Sequence, residues 1–196
     1  EIENVNLDAL DALEKEGLSI FPKPNNLRTI QSKAVQKKFY KEHQIPTSDF
    51  VHFLSVEALH ESIKNGDTTF PFVWKAARFG YDENGVKIVR SEADIVQLPN
   101  VECIAEKLIP FKNELAVIVA KNTKGDTTTY PVVEMEFHPE ANQVEYVVCP
   151  ARIDQTMAAK AREVALKVAQ SLDFVGLLAV EMFQTQEDEI LVNEVA

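Results

Sequence analysis

Six β-rich runs follow one another between Phe70 and Ala151: "FPFVWKA", "VKIVR", "VECIAEKLI", "ELAVIVAK", "TTTYPVVEMEF" and "QVEYVVCPA". They are separated by Gly, Pro, Asn or Asp signals rather than by long helical patterns. Regular strand–helix–strand alternation is missing, which argues against a parallel, doubly wound sheet. The order predicts an α+β fold with largely antiparallel sheets.

Helices flank this block. "LDALDALEKEG" (Leu7–Gly17) reads as a short helix with Leu7, Leu10 and Leu13 on one face and Gly17 as its stop. "SIFPKPNN" reads as a connector. "LRTIQSKAVQKKFYKEHQ" reads as one helix, with Leu27, Ile30, Ala34 and Phe39 at helical spacing, ended by Pro46 ahead of a strand, "DFVHFL". Ser55 caps "VEALHESIK", which Asn65-Gly66 terminates. Asp154 caps "QTMAAKAREVALKVAQSL", whose apolar stripe is Met157, Ala161, Val164, Val168 and Leu172. A final hairpin joins "GLLAVEMFQ" to "EILVNEVA" through "TQEDE".

Composition excludes several classes. With 20 Lys and Arg against 31 Asp and Glu, the net charge of −11 argues against a sequence-independent nucleic-acid binder. The longest apolar runs are too short to span a bilayer, and the start "EIENVN" has no signal-peptide pattern and no methionine. Cys103 and Cys149 lie far apart in apolar runs; both read as reduced core residues of a cytoplasmic protein. The histidines (His43, His52, His60, His138) are scattered without triad or metal spacing, and neither a P-loop nor a dinucleotide fingerprint is present.

The terminal hairpin carries the sharpest chemical signal. Glu181 shares a strand face with Leu177, Ala179 and Phe183, and Glu194 with Ile190 and Val192. A register pairing 184 with 191 would set the two carboxylates opposite each other, unfavourable unless a cation sits between them. They are either a Mg²⁺ pair, with Asn193 as a neutral ligand, or partly exposed edge-strand glutamates. Lys75, in "FVWKAAR", either snorkels to solvent or binds phosphate beside a glycine loop. Lys33 alone reads as part of a solvated helix face. Glu106 and Glu114 flank "KLIPFKN", where a carboxylate can accept bonds from ribose hydroxyls and the linker backbone can bond an adenine edge; exposed strand-end glutamates are the plain alternative. "RFGYDENG" is either a ligand loop or a hairpin turn.

In order, a helix lysine, a strand lysine, a glycine loop, E-x-x-I-P-F-x-x-E and two carboxylates on a last hairpin resemble the ATP-grasp family. Within it the chain is most similar to the 5-(carboxyamino)imidazole ribonucleotide synthetases, through "KAARFGYDENG", "CIAEKLIPFKNELAVIVA", "YPVVE", "CPARI", "VGLLAVEMF" and "LVNEVA". The resemblance implies two α+β subdomains enclosing the nucleotide: 1–26 as the tail of an N-terminal Rossmann-like domain, 27–108 as the small lid subdomain and 109–196 as the large one. It implies ATP contacts at Lys33, Lys75, Gly80, Tyr81, Asp82, Gly85, Glu106, Lys107, Leu108, Ile109, Glu114, Asn193 and Glu194, with 80–86 covering the phosphates. Tyr81 and Asp82 are implied to contact aminoimidazole ribonucleotide, and Glu181 and Glu194 to hold Mg²⁺. Lys75, Glu181 and Glu194 would carry catalysis. The implied reaction carboxylates aminoimidazole ribonucleotide with ATP and bicarbonate, through carboxyphosphate, in purine biosynthesis, with no nucleic-acid or membrane partner and a homodimeric parent. The alternatives are another ATP-grasp ligase or a non-catalytic nucleotide-binding piece. Glu83 and Asn84 replace a glycine and a cation, and Phe137 stands where some members have a histidine. The family continues past "NEVA" into an Arg/His motif, so these 196 residues alone are expected to lack the ligase reaction.

Overall fold

The computed structural model describes residues 5–78, 85–137 and 144–196. The expectations for Gly80, Tyr81, Asp82, Glu83, Asn84 and His138 lie outside the described residues. The expected α+β architecture holds: every strand pairing within the two sheets is antiparallel.

The N-terminal helices are α1 (Leu7–Lys15), α2 (Pro24–Ile30) and α3 (Lys33–Glu42). The single helix expected over "LRTIQSKAVQKKFYKEHQ" is thus two, and the expected connector already contains the start of α2. Ser32 makes the break. Its side chain accepts from the Val35 N–H and caps α3, and the Lys33 N–H donates to the Ala77 carbonyl instead of continuing a helix. Helix α1 buries none of its leucines fully.

The smaller sheet has the order β1 (Phe50–Phe53), β4 (Cys103–Lys107), β2 (Phe72–Ala76), β3 (Val86–Val89). One face packs Phe53, Phe72, Trp74, Val89 and Cys103 against α4 (Val56–Lys64) and α5 (Glu92–Ile95), a short helix that the sequence reading lacked. The other face carries Lys75, Ile104 and Glu106. Ser55 caps α4 and Gly66 closes it with φ +80°, as expected.

The larger sheet has the order β10 (Ile190–Val195), β9 (Gly176–Thr185), β5 (Phe111–Lys121), β7 (Val133–Phe137), β8 (Val144–Val148), with β6 (Thr127–Thr129) also on β5. The expected run "TTTYPVVEMEF" is split at Tyr130-Pro131 into β6 and β7, because Pro131 has no N–H for the ladder. Leu115, Val117, Leu178, Val180 and Met182 form the core with α6 (Gln155–Ser171). Each such side chain contributes roughly 1.5–3 kcal/mol by leaving water. The buried stripe of α6 runs through Met157, Ala161, Ala165, Val168 and Ala169; Val164 is only half-buried. Asp154 caps this helix as predicted.

Arg152 pins the segment before α6 to β7, with Nε 3.1 Å and Nη2 2.7 Å from the two oxygens of buried Glu134. Cys103 is buried, but Cys149 is exposed, contrary to expectation, because it directly follows the solvent-facing edge strand β8. At the opposite edge, the Val192 N–H donates to Pro46 and Thr47 forms a parallel bridge to Val192. No helix among the described residues is long and apolar enough to cross a membrane.

Candidate functional site

The face of the larger sheet opposite α6 carries the acids. On β5 and β9, Leu115, Val117, Leu178, Val180 and Met182 alternate into the core, so Glu114, Ala116, Ala179, Glu181 and Phe183 point the other way. Ala116 pairs with Glu181 and Phe183 with Glu114, which sets the two glutamates on a diagonal of one face.

Glu194 reaches this face by a different route. Near the turn β10 pairs one residue out from the expected register: Ile190 with Gln184, Leu191 with Phe183, Val192 with Met182. A bulge at Asn193 then shifts the ladder, so that Glu194 pairs with Glu181 and Val195 with Val180. Val192 and Val195 both enter the core, and the two residues between them turn to the site. Glu194 therefore does not share a face with Ile190 and Val192, as strict alternation had implied. The predicted juxtaposition of carboxylates is real, and the bulge produces it.

The cations come from α3 and the smaller sheet. Lys33 pairs with Glu194. Lys75 is 6% exposed and does not snorkel; its Nζ donates to Asn193 Oδ1 at 2.6 Å and lies 3.3 Å from Glu106 Oε1. Glu106 is buried, receives the Ser48 hydroxyl at 2.9 Å on Oε2, and has Lys37 Nζ 3.3 Å from the same oxygen. Lys37 and Ser48 were missed in the sequence. Lys37 looks like Lys38 and Lys41, and its signal is its position four residues after Lys33, on the same helix face.

The electrostatics follow from this packing. Burial pushes Glu106 up, but Lys75, Lys37 and Ser48 outweigh it and hold its carboxyl below the ordinary range. Burial is likewise outweighed at Glu194 by Lys33 and Lys75. Burial drives Lys37 down to about 8, against the pull of Glu106. Glu114 has no partner cation of comparable weight: burial first, then Glu181, push it up to about 7, with Lys75 opposing.

The linker from β4 to β5 passes beside this cluster. Lys107 is exposed, with its N–H donating to the Asp49 carbonyl, and Leu108 and Ile109 are half-buried. A cavity of about 470 Å³ opens between Ser48, Lys107, Ile109, Pro110 and Leu191. Gly85 stands just before β3: its carbonyl accepts from the Ala76 N–H, and Val86 begins the strand. A second cavity, under Leu10, Phe21, Leu27 and Leu177 at the far end of the sheet, is lined almost wholly by apolar side chains and offers no chemistry.

Three lysines and four glutamates thus meet between the sheets. Adding a polyphosphate to this nearly balanced set requires further positive charge. The described residues hold no cluster of three or more His, Cys, Asp or Glu ligands. Two facing carboxylates with an adjacent amide are a hard-oxygen set that fits Mg²⁺ completed by phosphate oxygens and water.

Residues 38–196 match the ATP-grasp domain family. The N5-carboxyaminoimidazole ribonucleotide synthase of Synechocystis sp. is 35% identical, covering 100% of this chain and 51% of that protein. The crystal structure of N5-carboxyaminoimidazole ribonucleotide synthetase from Thermotoga maritima matches with a TM-score of 0.85 at 36% identity, covering 100% of this chain and 49% of that one. That of N5-carboxyaminoimidazole synthase from Aspergillus clavatus, in complex with ADP and 5-aminoimidazole ribonucleotide, matches with a TM-score of 0.88 at 31% identity, covering 100% and 51%. The chain spans about half the length, or less, of the curated relatives it matches.

Proposed function

The chain belongs to the ATP-grasp family, and from that premise we propose that it is the nucleotide-binding core of a ligase that carboxylates aminoimidazole ribonucleotide with ATP and bicarbonate. The observation that carries this reading is the pairing of Glu181 with Glu194 beside Lys33 and Lys75, between two sheets. Similarity over the whole of this chain to about half of the N5-carboxyaminoimidazole ribonucleotide synthases supports the choice of substrate.

In this reading the adenine enters the cavity beside Lys107–Ile109, and Glu114 accepts hydrogen bonds from the ribose hydroxyls in its ionised form. Lys33 and Lys75 meet the phosphates and offset their charge. Glu181, Glu194 and Asn193 would hold Mg²⁺, which supplies charge neutralisation across the phosphate oxygens when bound. A bicarbonate oxygen attacks the γ-phosphorus, the bond to the β-phosphate oxygen breaks, and ADP leaves. Carboxyphosphate then releases CO₂ and phosphate; the exocyclic amine adds to CO₂ and loses a proton. The residues' contribution is alignment, charge balance and exclusion of water, the demands of phosphoryl transfer. Tyr81 and Asp82 are proposed for the ribonucleotide.

The test is phosphate release from ATP by the full-length protein. Dependence on both bicarbonate and aminoimidazole ribonucleotide is expected. Release driven by a different acid or amine would assign the chain to another ATP-grasp ligase.

A further inference from the structure

We infer that Lys37 is a positioning residue for phosphate binding: by sharing the charge of Glu106 it leaves Lys75 free to act as a cation toward the nucleotide. The inference rests on the nucleotide-binding reading above.

Lys37 cannot itself meet a ligand. It is 2% exposed and enclosed by α3, the segment before β1, β4 and β10. Its Nζ donates to Thr47 Oγ1 at 2.7 Å, Ser48 Oγ at 3.0 Å and the Val192 carbonyl at 3.5 Å, with Glu106 Oε2 at 3.3 Å. A lysine is costly at such a position, and a neutral side chain would serve packing alone. The charge must therefore be balancing something, and the carboxylate beside it is Glu106.

Glu106 stands between two ammonium groups. Lys37 and the Ser48 hydroxyl are on Oε2, and Lys75 faces Oε1. Lys75 stands as far from the carboxylate as Lys37 does, at 3.3 Å, but Oε1 has no partner in hydrogen-bonding geometry, and Lys75 directs its bond to Asn193 at 2.6 Å. Lys75 is held near the carboxylate without being captured by it. Without Lys37 the whole charge of Glu106 would fall on Lys75, close that pair, and draw the ammonium away from Asn193 and from incoming phosphate.

The experiment compares ATP and adenosine affinities, by calorimetry with Mg²⁺, in the full-length protein. For Lys37→Met, ATP should bind at least tenfold more weakly while adenosine changes less than twofold. Adding Glu106→Gln should return the ATP-to-adenosine ratio toward that of Glu106→Gln alone, since a neutral residue at 106 needs no second cation. A purely structural Lys37 predicts parallel losses for both ligands and no such return. If Lys37→Met does not fold, the double variant is compared with Glu106→Gln; equal ratios support the inference, and an ATP-specific loss in the double variant overturns it. Wild-type protein that binds no ATP would sink the nucleotide reading itself. Wild-type binding with an unchanged ratio in Lys37→Met would sink this inference alone.

Discussion

Glu194 opposes Glu181 because Asn193 is an extra residue in β10; in the register set at the turn, Glu181 would face Asn193. Two carboxylates held opposite each other repel unless a cation lies between them, and here Lys33 takes Glu194. In the proposed function this pair would hold the divalent ion that accompanies the nucleotide.

Glu194→Gln should therefore weaken stabilisation by ATP with Mg²⁺. At roughly 100 times its dissociation constant a ligand adds about 2.7 kcal/mol, or about 5–10 °C in Tm for a domain of this size. The variant should lose most of that shift in a thermal melt. A full shift retained would show that this carboxylate is not part of the site.

Glu114 makes stability depend on pH. Its carboxyl is pushed up to about 7 in the folded chain, against an ordinary 4.5, by burial and then by Glu181 and Glu194, with Lys75 opposing. Between those values the folded state keeps a proton that the unfolded state has released, so stability falls as pH rises through the window. Glu114→Gln should be more stable than wild type at pH 8, by up to roughly 3 kcal/mol, and about equal near pH 4. Denaturant melts at the two pH values decide it; a constant difference would refute the buried-carboxyl account.

Arg152 should matter through its fork. Its two nitrogens meet both oxygens of Glu134, whose carboxyl they hold below its ordinary range. That contribution is present above the unfolded carboxylate range and disappears as pH falls through the folded value. Arg152→Lys keeps the charge but cannot make both bonds. Its Tm should be lower at pH 7 and converge on wild type in acid.

Ser32→Ala should cost about 0.5–1 kcal/mol by removing the cap of α3, and Ser32→Gly only a few tenths. Equal losses would mean that packing of the Ser32 side chain, which is 1% exposed, outweighs the cap.

The same residue shows where the sequence stops being readable. Leu27, Ile30 and Ala34 keep helical spacing across the break at Ser32, so periodicity alone runs the two helices together; the competing signal is a cap residue inside the pattern. Strand existence was legible because β-rich runs and turn residues are local features. The face that Glu194 occupies was not, because a bulge shifts the alternation without a glycine or proline to announce it. Lys75, Glu106 and Glu114 were legible as candidates, whereas their burial and the sharing of Glu106 by two lysines depend on contacts between residues far apart in the chain.

The two edges of the larger sheet differ in their openness to other chains. Pro46 and Thr47 occupy the outer side of β10 at Val192, so that edge is capped from within. β8 has no such cover among the described residues, and Val144, Tyr146 and Val147 are each at least 45% exposed. Strand-to-strand self-association, the usual route from a folded sheet to an aggregate, is thereby directed to β8 and away from β10, which carries Glu194.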